Sequence, residues 1–171
     1  ELSLAGGHSV VLLAQSQKGY RNLCRLSSAL QAAPDREEAL RVGADWDLLS
    51  AHTGGLIALS GGRLGEIEKL VRLDEPVEAL RVAGRFAEIF GRESFFIELQ
   101  IQEGGDVPVA VRLALVARRS GLNCVATNNV HYIGPEDRER YRVLAAMRTL
   151  TRVGAPPPDR PLVADGRFLT A

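Results

Sequence analysis

Cysteine, aromatic residues, surplus charge and long apolar runs are all scarce in this chain, and each shortage closes off a class of function. Of the 171 residues only two are cysteine, Cys24 and Cys124, and no CxxC pair occurs. That argues against a disulfide framework or zinc cluster, and the thiols read as two small buried hydrophobes in a reducing compartment. Aromatic residues make up 5% of the chain, too few for a platform on which successive bases stack. Lys plus Arg and Asp plus Glu number 21 each, so no basic field draws nucleic acid from a distance. Any contact with DNA is then weak or made as part of something larger. No apolar run approaches the roughly 18 residues of a membrane span, and no basic region followed by an apolar segment opens the chain. The expected location is the cytoplasm. An initiator Met is also missing: the chain opens at Glu1 inside what reads as a strand, ELSLAGG, as expected of a piece of a longer protein.

What is present is an ordinary core-forming composition, 46% hydrophobic over a length that suits one domain. Short apolar runs alternate with amphipathic stretches, the pattern of strands joined by helical crossovers in an α/β fold. The strand candidates are ELSLA (1–5), HSVVLLA (8–14), GLIALS (55–60), FFIELQI (95–101) and CVATNNV (124–130). Several are apolar at successive positions, which predicts a parallel sheet or barrel covered on both faces. Helices are expected from Lys18 to Leu30, with Tyr20, Leu23, Ser27 and Leu30 on one face, and from Pro76 to Phe90, with Val77, Leu80, Ala83, Ala87 and Phe90 inward. Pro76 suits a first turn after a possible cap at Asp74, and Gly91 suits a C-terminal cap. Val109 to Gly121 and Pro135 to Leu150 repeat the pattern, the latter with Glu136 and Asp137 set against the helix dipole. The tail after Arg152, with its run APPPDRP, reads as an extended connector.

Three features could carry chemistry. The turn SGGRLGE (60–66) follows a strand and opens a helix, where free backbone N–H groups suit a phosphate. Ser60 stands where a dinucleotide fingerprint has its first glycine, and no Lys-Ser or Lys-Thr follows, so a tight turn that needs glycine explains it better. The three histidines, His8, His52 and His131, each fall at the edge of a predicted element, where hydrogen bonding or solvent exposure is the plain alternative to metal binding. Asn129 and His131 are two apart in a strand, so their side chains share a side and could reach one ion. No local motif supplies the several ligands that a metal needs. No G-x-S-x-G sequence occurs, and Ser60 has no evident base nearby in sequence. Carboxylate pairs such as Glu66 with Glu68 are explained by solvated helix faces.

HSVVLLAQSQKGYRNLCRLSSA, GLIALSGGRLGE and GLNCVATNNVHYIGPEDRERYRVLAAMRT, taken in that order and spacing, resemble three blocks of one family. It is the PHP (polymerase and histidinol phosphatase) domain of the bacterial DNA polymerase III alpha subunit and its error-prone relatives. The resemblance covers roughly residues 1 to 150, and RFLT near the end resembles the start of the connection to the polymerase body. It implies a partial, distorted (β/α)7 barrel with parallel strands and surrounding helices over residues 1–151, its N-terminal strands absent, and a connector over 152–171. In its active form the family's domain binds a cluster of divalent ions, commonly zinc, and acts as a 3′–5′ exonuclease. The resemblance places the H-x-H block and several later ligands before Glu1 and four ligand positions within the chain. His8 matches the histidine opening the HLTLLA-like strand, and His131 matches the histidine of N-D-V-H-Y. Gly62 stands where the S-G-C turn has cysteine, and Asn129 where N-D-V-H has aspartate.

A thiolate or carboxylate brings charge that offsets clustered cations, whereas glycine brings no side chain and asparagine only a neutral carbonyl. The resemblance with these departures implies a PHP domain without the cluster: a scaffold for the polymerase and for a proofreading exonuclease subunit, reaching DNA only through the full-length protein. The alternative is an active, zinc- or manganese-dependent exonuclease or phosphoesterase using His8 and His131 with substitutes such as His52. A barrel with missing strands would also expose edges and apolar surface, so the fragment is expected to pair with another copy, rearrange, or be only marginally stable.

Overall fold

A computed structural model describes residues 1–102, 104–128 and 130–153, so Asn129 and nearly all of the expected connector lie outside the described residues. The chain divides into two compact units, residues 1–99 with 109–125, and 100–108 with 126–171.

In the first unit β1 (Leu2–Leu4) and β2 (His8–Ala14) form a hairpin, with Leu2 opposite Val10 and Leu4 opposite His8. Helix α1 (Gln17–Gln31) follows, capped by Ser16, whose Oγ accepts from the Gly19 N–H. Two short helices, α2 (Arg36–Val42) and α3 (Trp46–Ser50), start at Asp35 and Asp45, whose side chains accept from the N–H groups of Glu38 and Leu48. Strand β3 (Leu56–Leu59) leads through a 3-10 turn into α4 (Glu66–Arg72) and α5 (Pro76–Phe90). Then come β4 (Phe95–Leu99), α6 (Val107–Ser120) and β5 (Asn123–Ala126). The strands lie in the order β1-β2-β3-β4-β5.

The expectation of parallel strands fails at two of the pairings: β1 with β2 and β2 with β3 are antiparallel, and β3 with β4 is parallel. The described residues form an open mixed sheet and no closed barrel. The first reversal follows from the three residues between β1 and β2, too few for a crossover. The second has a packing cause. A Cβ on Gly19 would lie 1.9 Å from the Gly55 carbonyl oxygen, so glycine at 19 lets the start of α1 press on the turn before β3. Asn22, buried on the next helical turn, donates from Nδ2 to the Gly54 carbonyl at 2.8 Å, and the Gln15 N–H donates to the Gly55 carbonyl at 2.9 Å. Strand β3 therefore sets out from the point where β2 stops and runs back beside it. Ala44 occupies the outer edge of β1, accepting from the Ala5 N–H at 2.9 Å and donating to the Ser3 carbonyl at 2.8 Å.

Fully buried Val10, Leu26, Leu49, Leu56, Ile67, Val82, Phe95, Ile97 and Leu113 make the core of this unit. Phe86 of α5 lies between Trp46 and Phe95, with ring centroids 4.8 and 4.7 Å away, and the Arg85 guanidinium sits 4.0 Å over the Trp46 ring. Helix α5 has its expected limits, with Pro76 in the first turn and Gly91 at the C-terminal cap. Of its expected inward face Ala83 and Ala87 are buried and Leu80 and Phe90 pack against the core; Ala79, Val82 and Phe86 are buried with them, and Val77 is exposed instead. Alanines on that face let the helix approach the sheet closely. On α1 the expected Leu23 and Leu30 pack against the core, but the most buried positions are Gly19, Asn22 and Leu26, and Tyr20 is left in solvent. Asp74 is not the cap of α5: Glu75 holds that position, and Asp74, at φ 62°, pairs with Arg112 at 3.2 Å.

Both cysteines are exposed, contrary to expectation. Cys24 lies off the buried face of α1, and Cys124 is on the largely exposed β5. The second unit contains the turn Gly104–Asp106, with Asp106 buried and its Oδ2 accepting from the Gln102 N–H at 3.0 Å. It also contains α7 (Arg138–Thr149), preceded by a 3-10 turn at Pro135–Asp137 where a continuous helix from Pro135 was expected. No helix among the described residues is long and apolar enough to cross a membrane.

Candidate metal centre

The antiparallel pairing of β2 with β3 brings two of the four sequence-matched positions to one end of the sheet. Val11 faces Leu59 and Leu12 faces Ala58. Just past β3 the chain passes Ser9 at Gly61 and then turns into the 3-10 segment Gly62–Leu64, so Gly62 and His8 lie at the same end of the β2–β3 pair. The approach is close, because a Cβ on Gly61 would fall 2.1 Å from the Ser9 carbonyl oxygen. Gly61 is left-handed at φ 84° and Gly62 follows at φ 53°, so the SGG turn requires glycine for both backbone shape and space. His8 is half-buried, and by alternation along β2 it shares a face with Val10 and Leu12. Gly62 is buried and adds no donor atom.

The third strand completes this end with backbone pairing. Ser60 is buried; its N–H donates to the Phe96 carbonyl at 3.0 Å and its Oγ accepts from the Glu98 N–H at 2.9 Å. Its hydroxyl thus extends the β3–β4 ladder. Glu98 itself is buried. The sequence reading did not single it out, although a carboxylate inside the apolar run FFIELQI was a visible signal.

His52 is at the other end of β3. Its Nδ1 donates to the Leu48 carbonyl at 2.9 Å, closing the end of α3 before β3 begins. A strand's length separates it from His8, so His52 does not replace a ligand there. In the second unit, His131 is exposed, and its Nδ1 is 3.1 Å from the Tyr141 hydroxyl, with ring centroids 5.0 Å apart and tilted by 44°. Tyr132 is buried and lies 5.9 Å, centroid to centroid, from the same Tyr141 ring. Tyr141 therefore holds one side of the His131 imidazole. Among the described residues no group of three or more His, Cys, Asp or Glu is placed to hold a metal ion. Of the two sequence-matched positions at the β2–β3 end, His8 offers an imidazole and Gly62 no side-chain donor.

The sheet with its helices, and a strand end bearing a lone histidine opposite a glycine turn, define the class: the sequence model of the PHP domain family matches residues 1–102, and the chain belongs to that family. The relatives it resembles along most of its length are bacterial DNA polymerases. It is 39% identical to the error-prone DNA polymerase of Symbiobacterium thermophilum over 99% of this chain and 17% of that protein. It is 36% identical to the DNA polymerase III subunit alpha of Thermus aquaticus over 90% of this chain and 12% of the relative, and 32% identical to that of Bacillus subtilis over 90% and 13%. The chain thus spans less than a fifth of the length of these relatives.

Proposed function

We propose that this chain is the PHP segment of a DNA polymerase III alpha-type polypeptide that serves DNA replication as a metal-depleted scaffold, bracing the polymerase and a proofreading partner in the bacterial cytoplasm. The open sheet is read as one part of a distorted (β/α)7 barrel whose other strands belong to the longer polypeptide. The observation that carries the reading is Gly62, a buried position just past β3 that has no side chain where the family's cysteine would bring a thiolate, at the end of the sheet where β2 opens with His8. Asn129 in place of aspartate removes a second negative charge. With both anionic donors exchanged, a di- or trinuclear cluster would stand under-neutralised and under-coordinated. Nuclease chemistry at this site is then absent, and DNA synthesis falls to carboxylates elsewhere in the longer protein.

Elemental analysis of the full-length polypeptide, purified without chelator, tests this. The expected result is well under one zinc or manganese per chain. Stoichiometric metal, with 3′–5′ exonuclease activity that His131→Ala abolishes, would overturn the scaffold reading and establish an active phosphoesterase.

A further inference from the structure

Helix α1 carries its cations where helix stability does not call for them. No Asp or Glu occurs between Gln17 and Gln31, and Lys18 stands in the first turn, where the helix dipole disfavours positive charge. On other helices Arg41, Arg72, Arg81, Arg140 and Arg142 are each paired with a carboxylate three or four residues earlier. Lys18, Arg21 and Arg25 have no carboxylate partner among the described residues. Spaced three and four residues apart, these exposed side chains form one row about 10 Å long. A local rule broken in this way points to function rather than to folding.

Two of the three cations are held in place. A Cβ on Gly54 would lie 2.9 Å from the Lys18 Cε and 3.0 Å from its Nζ, so the lysine stem lies over the turn before β3. Arg25 donates to the Asn22 Oδ1 at 3.3 Å, and Asn22 is itself tied to the Gly54 carbonyl. The neutral amide steadies the guanidinium and leaves its charge uncompensated. Cations ordered in advance lose less freedom when an anion arrives. Gln17, one turn before Arg21, and Ser28, one turn after Arg25, are exposed beside the row and add hydrogen-bonding groups of the kinds that meet phosphate oxygens. The exposed face of α1 has no large aliphatic side chain to form the apolar centre of a protein interface.

We propose that this row seats the phosphodiester backbone of DNA, Lys18, Arg21 and Arg25 meeting phosphates without reading bases. The contact forms at short range, once the longer polypeptide holds the duplex, as suits a chain whose charges balance overall. The inference rests on the replication reading above and is independent of metal content.

Fluorescence anisotropy of the full-length polypeptide on a duplex oligonucleotide, at a series of salt concentrations, tests it. Replacing all three residues by glutamine is expected to lower the slope of log affinity against log salt by about 2–3, equally on two unrelated sequences. Arg118→Gln with Arg119→Gln removes two exposed charges from α6 and leaves the slope unchanged. Lys18→Glu raises the thermal midpoint, because a carboxylate then meets the helix dipole, while it weakens binding. An unchanged slope, a fall matched by the α6 variant, or a loss confined to one sequence would each overturn the inference alone. An unchanged slope joined to lost binding of polyglutamate would assign the row to an acidic protein and overturn it too. A parent polypeptide that binds no DNA would overturn it together with the replication reading.

Discussion

Asn22 is the residue on which the direction of β3 depends, and replacing it by alanine tests that dependence. The side chain is buried, its Nδ2 donates to the Gly54 carbonyl at 2.8 Å, and its Oδ1 accepts from Arg25 at 3.3 Å. Asn22→Ala deletes the donor and leaves a backbone carbonyl in a partly buried turn without that bond, a loss of about 1–3 kcal/mol. For a domain of this size that lowers the thermal midpoint by about 2–4 °C for each kcal/mol. Arg25→Ala removes the longer contact, made by an exposed residue, and is expected to stay within about 0.5 kcal/mol of the parent. Gly19→Ala attacks the same junction sterically, because its Cβ would lie 1.9 Å from the Gly55 oxygen, and overpacking of this kind costs about 1–3 kcal/mol. The two lesions share one contact, so the double variant is expected to lose less than the sum of the singles. Urea and thermal unfolding followed by far-UV circular dichroism provide the measurement. An Asn22→Ala midpoint indistinguishable from the parent, or strict additivity with Gly19→Ala, would refute the claim that this junction holds β3 against β2.

Two further expectations follow from the two ends of the sheet. Gly62→Cys combined with Asn129→Asp returns the family's anionic donors, so metal content of the full-length protein is expected to rise, read by elemental analysis; Gly62→Cys alone should also cost about 1–2 kcal/mol, since φ is 53° there. Cys124 is exposed, yet partial shielding of its sulfur from water pushes the thiol above its ordinary range, so less thiolate is present at a given pH. Its alkylation rate is therefore expected to rise to its plateau at higher pH than that of a cysteine peptide, and a coincident profile would contradict that shielding.

The parts of the fold visible in the sequence are those set by local rules. The limits of α5 are marked by Pro76 and Gly91, and β2 occupies the same seven residues that its apolar run marks. Helices α2 and α3, of seven and five residues, are too short for a periodic stripe, and only the capping residues Asp35 and Asp45 announce them. On α1 the apolar pattern marks Leu23 and Leu30, which pack on the core, but not Gly19 and Asn22, whose burial serves close approach and hydrogen bonding that no hydrophobicity pattern favours. Strand direction is likewise a long-range matter: the contact between α1 and residues 54–55 decides it, and those residues lie more than thirty positions away. The site shows the same division. Family resemblance supplied His8 and Gly62 as separate ligand positions; the antiparallel pairing of β2 with β3 brings them to the same end of the sheet. Glu98 was passed over because a carboxylate in an apolar strand reads as an edge residue until its burial is known.

Trp46 is the chain's sole tryptophan, and it sits against Phe86 with a guanidinium over its ring. The tryptophan emission of this protein, excited at the red edge where tyrosine does not absorb, therefore originates at one place, the seam where α3 meets α5. A shift in that emission registers the opening of this seam specifically, while ellipticity registers all the helices together. Following both signals through one unfolding curve divides the chain's cooperativity into a local and a global part without any label being attached.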